Sequence, residues 1–216
     1  MPEPLGVSGI DDPSLGSLMS HRDRQMLTTI LVYILIGLFV ATERRGRKGQ
    51  QAQSLDRGRF DRSSTAFVGV AWLLTGSGLL VAPLLNYFRL GSMTLGSVFG
   101  WVGLLIAVGG ISVRWWANRT LGEYYTRTLR VTATQSVVQK GPYRMIRHPG
   151  YLGSMLMWVG AGLATTNWIA FILAVVVMFA AYYYRIQTEE GMLMAAIGQE
   201  YSQYKARTWR LIPFVF

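Results

Sequence analysis

Long apolar blocks alternate with polar segments along the chain, and this pattern predicts membrane-spanning helices. Each block is long enough, or nearly so, to cross about 30 Å of hydrocarbon. Hydrocarbon cannot satisfy backbone N–H and C=O groups, so the blocks are expected to be helical. A short polar stretch at residues 165–167 separates the last two blocks and predicts a tight helical hairpin. The five blocks are residues 26–41, 66–86, 93–117, 150–165 and 167–184.

Composition supports the same fold class. Of the 216 residues, 51% are hydrophobic and 15% are charged, which is too apolar for an ordinary soluble domain. The alternative is a soluble protein with fully buried helices, but a chain of this size has too little surface left to cover five such segments. We therefore predict an all-α polytopic membrane protein with about five transmembrane helices.

The basic residues predict an orientation in the membrane. The segment 42–65 holds seven of the 21 lysines and arginines, and the segment 118–148 holds six. By the positive-inside rule, the N-terminus then lies outside and the C-terminus inside. The formal net charge of +10 is explained by topology and does not require a nucleic-acid partner. The basic loops could also bind anionic lipid headgroups.

The sequence divides into three predicted regions. Residues 1–25 form a polar tail without the basic start and apolar core of a signal peptide. Residues 26–117 form a three-helix membrane scaffold. Residues 118–216 form a cofactor-binding catalytic region with the helical hairpin and a C-terminal cytosolic helix. The polar segment 43–65 is expected to be a mobile loop. The absence of cysteine excludes disulfides and thiolate chemistry, and no metal site is predicted.

Small residues inside the apolar blocks predict close helix packing. Gly96 and Gly100 form a G-x-x-x-G pattern, and Gly103 with Ala107 repeats the spacing. The same role is expected for Gly76, Gly78, Gly160 and Gly162, and close approach of other atoms to the backbone is expected at Gly150 and Gly153. No glycine pattern resembles the G-x-G-x-x-G of a dinucleotide-binding turn that follows a strand.

The segment 140–153 contains the most candidate chemistry. It contains the pattern GPYR-x-x-RHP-x-Y-x-G. Pro149 fits the first turn of the fourth helix, with His148 at its cap. A helix start offers free N–H groups and a partial positive charge, so this one could hold an anionic group. A plain helix start is the alternative. Tyr143 and Tyr151 could contact a ligand or anchor the chain at the membrane interface.

An ionisable pair follows the last apolar block. Arg185 and Glu189 are four residues apart and therefore share one helix face. They could form an exposed ion pair of little energetic weight, or a site pair that faces the loop 140–151. A charge at the membrane border that faces protein is costly enough to need a reason. Glu190 points about 100° away from Glu189 and is expected to have a different role.

The order of these motifs carries a family resemblance. The GPYR and RHP elements are followed by two apolar passes, the acidic pair and a tail G-x-E-Y-x-x-Y-K-x-R at residues 198–207. This order resembles the integral-membrane isoprenylcysteine carboxyl methyltransferase and phospholipid methyltransferase family over roughly residues 125–213. The resemblance implies S-adenosylmethionine as cofactor, a lipid-like or prenylated acceptor, and an active site facing the cytoplasm.

Carried over by motif position, the resemblance also implies the site residues. Arg185 would handle the methyl acceptor, and Glu189 would bind the cofactor beside it; these two are the predicted catalytic residues. Tyr143 and Tyr151 become candidates to stack on the adenosyl group or hydrogen-bond to it, and the start of the fourth helix to hold the cofactor carboxylate. The implied cofactor-binding residues are Gln135, Ser136, Val137, Val138, Tyr143, His148, Pro149, Gly150, Tyr151 and Glu189.

Alternatives remain open for the reaction. A prenylcysteine-like carboxylate needs no base and could be held by both arms of Arg185. A phospholipid amine needs a base, for which Glu189 and Glu190 are the candidates. Two other functions remain open, an NADPH-dependent isoprenoid or sterol reductase and a non-enzymatic lipid-binding protein.

Overall fold

The computed structural model describes residues 21–50, 63–122 and 137–214, and it is helical nearly throughout these ranges. A short 3-10 helix, Gly141–Arg144, precedes the fourth α-helix. Within the described residues there are two isolated β-bridges and no β-strand. The all-α prediction is therefore confirmed. The helices are α1 His21–Gln50, α2 Ser64–Tyr87, α3 Gly96–Leu121, α4 Pro149–Ala164 and α5 Trp168–Arg207.

Two helices continue past their predicted ends. Helix α1 extends to Gln50, so the loop prediction for residues 43–65 is wrong for the first part of that segment. Helix α5 does not stop at residue 184 but continues to Arg207, with a break at Gly198, where φ is 39° and ψ is −105°. The predicted C-terminal helix is therefore joined to the fifth apolar helix. In both places the apolar pattern ends while good helix formers such as Arg, Lys and Glu continue.

The outer surface of the bundle is apolar, as a membrane protein requires. Four helices, α1, α2, α3 and α5, are long and apolar enough to cross a membrane among the described residues. They leave large hydrophobic side chains exposed; Leu73, Leu80 and Leu105 are each at least 70% exposed. Apolar surface on this scale needs lipid or a partner to cover it. Helix α4 is shorter than these four, so the number of five spans stays a prediction. The orientation of the spans also stays a prediction.

Helix α4 is the centre of the bundle. It has 16 residues, about 24 Å by helix geometry, and ten of them are buried. Helices α3 and α5 pack along it, and α1 and α2 also reach it. The turn of residues 165–167 joins α4 to α5, so the predicted helical hairpin is confirmed.

Helices α3 and α4 meet in backbone contact. The buried positions of α3 alternate by four and three residues, from Gly96 through Gly103 and Gly110 to Ala117. A Cβ on Gly103 would lie 2.4 Å from the Ala164 nitrogen, and one on Gly110 would lie 2.5 Å from the Met157 nitrogen. No side chain fits in such a contact, so the glycines set the separation of the two helices.

The glycine predictions hold at most of these positions. A Cβ on Gly160 or on Gly153 would lie 2.5 Å from a backbone nitrogen of α3, as expected for close packing. A Cβ on Gly150, in contrast, would find its nearest protein atom at 3.7 Å. The first turn of α4 thus has ordinary room around it, and the close approach of other atoms at Gly150 stays a prediction.

Neutral polar groups close the end of the bundle where α4 turns into α5, here called the loop end. The fully buried Asn167 accepts hydrogen bonds from the backbone of Ile169 and Ala170, which caps α5. Its amide donates to Asn86 and to the carbonyl of Leu90, at 2.8 Å each. The hairpin is thus tied to the connection between α2 and α3 without any charge.

Candidate active site

The opposite end of the bundle, here called the site end, holds buried charged side chains. Arg114, Arg185 and Glu190 are between 4% and 8% exposed, and His148 is 5% exposed. Buried ionisable groups are costly unless they are paired or used. This end is therefore where chemistry is expected, in agreement with the sequence motifs.

Residues 145–148 lie beside the end of the chain. His148 is the N-cap of α4 and Pro149 occupies its first turn, as predicted. The Arg147 and His148 amides donate to the carbonyls of Trp209 and Arg210, at 2.8 and 3.1 Å. The side chain of Arg147 also donates to the Thr208 carbonyl. The RHP element is thus fixed by the segment that follows α5.

Glu190 is the hub of this arrangement. Its Oε1 accepts from Arg147 Nε at 2.9 Å and lies 3.3 Å from His148 Nε2. Its Oε2 accepts from Arg210 Nε at 3.1 Å and lies 3.6 Å from Lys205 Nζ. Beyond the apolar part of α5, burial raises the pKa of the Glu190 carboxyl, but the His148 and Arg147 contacts outweigh burial and lower that pKa below its ordinary value. Both oxygens of this ionised group are therefore engaged.

Glu189 is in a different situation. Its side chain is 26% exposed, and its Oε2 lies 3.7 Å from His148 Nδ1. That oxygen is itself buried and makes no hydrogen bond to any described residue. His148 thus lies between the two carboxylates, one with engaged oxygens and one with an oxygen available to a donor.

Arg185 is buried and held by hydroxyl groups. Its Nη1 donates to Ser64 Oγ at 2.8 Å and to Thr65 Oγ1 at 2.7 Å, and its Nε donates to the Tyr151 hydroxyl at 3.1 Å. The same Tyr151 hydroxyl also interacts with Glu189. The reading of Arg185 and Glu189 as an exposed ion pair is therefore wrong for the buried arginine, and Tyr151 links the two groups.

Aromatic rings surround this linkage. His148 stacks on Tyr151 with ring centroids 5.5 Å apart and an interplanar angle of 7°. Tyr182 packs against Tyr151 at 5.3 Å and is 2% exposed, whereas Tyr183 and Tyr184 are more than 40% exposed. Tyr182 therefore lines the site, whereas Tyr183 and Tyr184 face outward.

Other predicted cofactor residues, in the segment before α4, contact the C-terminal part of α5. The amide of Val137 donates to Glu200 at 3.2 Å, and the Tyr143 carbonyl accepts from the Tyr204 hydroxyl at 2.7 Å. Val138 follows Val137 in the same segment. The structure thus brings together His148, Tyr151, Arg185 and Glu189, while Val137 and Tyr143 contact the C-terminal part of α5. Gln135 and Ser136 lie outside the described residues.

Sequence reasoning missed four residues of this end. Arg114 donates to Glu43 at 2.6 Å and to the Gly150 carbonyl at 3.0 Å, which ties α1 and α3 to the first turn of α4. A lone arginine inside an apolar block is a signal that the sequence does carry. Ser64 and Thr65 carry no such signal, because Ser64 lies 121 positions before Arg185.

A groove open to the side leads toward the site. It lies between α1 and α2, has a volume of about 370 Å³, and is lined by Tyr33, Ile36 and Gly37 and by α2 residues between Trp72 and Leu80. From its wall, Trp72 Nε1 donates to the Tyr182 hydroxyl at 3.2 Å. The groove wall and the Tyr151 cluster are therefore in direct contact through Tyr182.

These features define a class: a polytopic helical membrane protein with a buried ionisable site at one end and an apolar groove beside it. Residues 101–195 match the isoprenylcysteine carboxyl methyltransferase family. It is 29% identical over 117 residues to a probable protein-S-isoprenylcysteine O-methyltransferase of Oryza sativa subsp. japonica, covering 53% of this chain and 61% of the relative. With the protein-S-isoprenylcysteine O-methyltransferase of Schizosaccharomyces pombe it shares 26% over 162 residues, which is 68% of this chain and 65% of the relative.

A solved structure supports the fold. The eukaryotic intramembrane Ras methyltransferase, an isoprenylcysteine carboxyl methyltransferase, superposes with a TM-score of 0.65 at 20% identity, over 89% of this chain and 68% of that one. At this identity the likeness establishes the fold. The chain spans about three fifths of the length of the Oryza relative.

Proposed function

We propose that this chain transfers a methyl group from S-adenosylmethionine to the carboxylate of a lipid-like acceptor at the membrane, with a prenylcysteine-like acceptor as its class. One observation carries the proposal. The buried Arg185 and the carboxylate of Glu189 with its available oxygen stand one turn apart on α5, linked by Tyr151. The family match over residues 101–195 and the names of the relatives support it.

The donor set around Glu189 fits this cofactor. A buried oxygen without a hydrogen bond costs about 1–3 kcal/mol, and S-adenosylmethionine carries ammonium and hydroxyl donors that would remove this cost. We assign cofactor binding to Glu189 and His148. When bound, the cofactor supplies a methyl group on a sulfonium sulfur. The remaining assigned residues are Gln135, Ser136, Val137, Val138, Tyr143, Pro149, Gly150 and Tyr151.

Arg185 would bind and orient the acceptor. A guanidinium attracts a carboxylate and can donate a charge-assisted hydrogen bond that orients its oxygens, while Nε and Nη1 stay engaged with the protein hydroxyls. A carboxylate is already deprotonated, so no base is needed and Glu189 can serve the cofactor. A buried guanidinium would repel a cationic amine headgroup. For this reason a carboxylate acceptor is favoured over a phospholipid amine.

The groove between α1 and α2 would take the apolar part of the acceptor. Its lining is mostly apolar, so a prenyl or acyl chain could enter it from the bilayer. We place the polar cofactor on the cytoplasmic side, where the positive-inside rule puts the basic segments. In this arrangement residues 26–117 are the scaffold and residues 118–216 carry the cofactor site, with Ser64 and Thr65 contributed across that division.

The test is isothermal titration of the detergent-purified full chain with S-adenosylhomocysteine and, in parallel, with NADPH. We expect the first to bind and the second not to bind. Glu189→Ala should weaken this binding, whereas Arg185→Ala should retain it and lose methyl transfer to a synthetic prenylcysteine. Arg207→Ala, an exposed arginine on the same helix, is the matched control.

Other outcomes would redirect the assignment. Binding of NADPH alone would move the site to a reductase. Binding of neither ligand by a folded protein would favour a non-enzymatic lipid-binding role. Methylation of a phospholipid amine but not of prenylcysteine would reverse the choice of acceptor. Wild-type activity in both Ala variants would remove Arg185 and Glu189 from the site.

A further inference from the structure

We infer that Ser64 and Thr65, the first two residues of α2, are positioning residues that orient the acceptor carboxylate through Arg185. This inference rests on the proposed function and assigns a role in it to a helix that carries none of the family motifs. The resemblance and the family match both begin after α2, at about residue 125 and at residue 101. Neither therefore assigns any role to this helix.

The contacts come from two separate elements. Helix α2 supplies the two hydroxyl groups that accept from Arg185 Nη1, at 2.8 and 2.7 Å. Helix α4 supplies the Tyr151 hydroxyl that accepts from Nε at 3.1 Å. Ser64 is fully buried and Arg185 is 4% exposed. The guanidinium is therefore fixed along one edge by α2 and at its base by α4.

This arrangement suits an arginine that must orient the acceptor carboxylate and not only attract it. A free arginine side chain carries about 2 kcal/mol of rotamer entropy, and holding it in place before the acceptor arrives removes that cost from binding. Hydroxyl groups orient the guanidinium without bringing in a negative charge that would repel an anionic acceptor. Small errors in the orientation of the acceptor lower the rate strongly, because a misplacement of about 1 Å can lower a rate by about 10²-fold.

The inference predicts a specific kinetic pattern. Thr65→Val keeps the shape of the side chain and removes the hydroxyl, and Ser64→Ala does the same at the buried position. The double variant should lower kcat for the prenylcysteine acceptor by about 10-fold or more. The affinity for S-adenosylhomocysteine should stay within about twofold of wild type, because both hydroxyls accept from Arg185, which is assigned to the acceptor and not to the cofactor.

Two further variants serve as controls. Ser63→Ala removes the neighbouring hydroxyl, which contacts the Tyr184 hydroxyl at 2.9 Å instead of Arg185, and it should keep wild-type kcat. Thr65→Ser restores a hydroxyl and should rescue the loss seen in Thr65→Val. Since Thr65 is exposed, its single variants should fold even if the Ser64 variant does not.

A second readout separates aim from general stability. A nonreactive prenylated inhibitor with a carboxylate should bind wild type better than its carboxamide analogue, and Thr65→Val should shrink that ratio. The inference is overturned if folded Thr65→Val keeps both the ratio and kcat, or if it loses cofactor affinity in the same proportion as turnover. Failure of the proposed function would look different, because wild type itself would then not methylate prenylcysteine.

Discussion

The two ends of the bundle solve the same problem in different ways. At the loop end, the buried Asn167 and the half-buried Asn86 carry neutral amides that hydrogen-bond to each other and to nearby backbone. At the site end, the buried polar groups are charged, among them Arg114, Arg185 and Glu190. Both ends tie several helices together, so tying helices does not by itself require charge.

The difference indicates which end is used for chemistry. Neutral amides close a helix bundle with little desolvation cost, whereas buried ions cost several kcal/mol each before they are paired. Charges in such a position need a purpose beyond packing. The same contrast recurs inside the site end, where Glu190 has both oxygens engaged and Glu189 does not. We therefore treat Glu190 as the support of the site and Glu189 as its ligand-binding carboxylate.

The largest predicted effect is that of neutralising the support. Glu190→Gln would leave the buried Arg147 and the partly exposed Arg210 beside an uncharged amide, and breaking a buried ion pair costs about 3–5 kcal/mol. We expect a marked loss of thermal stability in detergent, measured by intrinsic fluorescence. Glu200→Gln, an exposed carboxylate on the same helix, is the control. Equal melting temperatures for the two variants would contradict the role given to Glu190.

The packing between α3 and α4 offers the next largest effect. A methyl group on Gly110 would lie 2.5 Å from backbone of α4, whereas Gly109 has no atom within 4 Å. Gly110→Ala should therefore destabilise the protein by about 1–3 kcal/mol through overpacking. Gly109→Ala should be neutral or slightly stabilising because alanine favours helix. Thermal melting of the two variants side by side tests this prediction. A Gly109→Ala variant that is less stable than Gly110→Ala would contradict it.

The loop end should give a smaller effect that is confined to stability. Asn167→Ala removes the cap of α5 and two donated hydrogen bonds, at a cost of about 1–2 kcal/mol. Affinity for S-adenosylhomocysteine should not change, because the whole bundle separates this residue from the site. Ser92→Ala, an exposed neighbour, is the control. A loss of ligand affinity greater than the loss of stability explains would break the distinction between the two ends.

The sequence predicts this fold well because a membrane leaves few choices. Lipid forces long apolar blocks into helices, and a three-residue polar break between two blocks leaves room for a hairpin alone. Helix ends were less predictable, since Arg, Lys and Glu continue α1 and α5 without any apolar pattern. The break at Gly198 was likewise unmarked, because a glycine in a helix only sometimes adopts a positive φ.

The site was predictable where its residues are close in sequence or share a motif. His148, Tyr151, Arg185 and Glu189 do meet, in keeping with the order of the motifs. Contacts such as Ser64 with Arg185 join distant parts of the chain, and no local pattern encodes them. Arg114 differs, because a single charge inside the apolar block 93–117 could have been noticed. Helix geometry predicted that Glu189 and Glu190 have different roles. Which of the two is bonded through both oxygens depends on where the segment after α5 places Arg210.

The smallest expected effect on stability is the most informative one about the site. Glu189→Gln keeps the size of the side chain and removes its charge. Because Oε2 makes no hydrogen bond to a described residue and the side chain is 26% exposed, folding should lose less than about 1 kcal/mol. Affinity for S-adenosylhomocysteine should fall about tenfold or more, since a hydrogen bond to a charged group contributes about 1.5–3 kcal/mol. Titration calorimetry and thermal melting of the same sample measure both quantities. A variant that loses stability like Glu190→Gln but retains ligand affinity would exchange the roles of the two carboxylates, whereas unchanged stability with weakened binding would establish that neighbouring residues on one helix divide support from ligand binding.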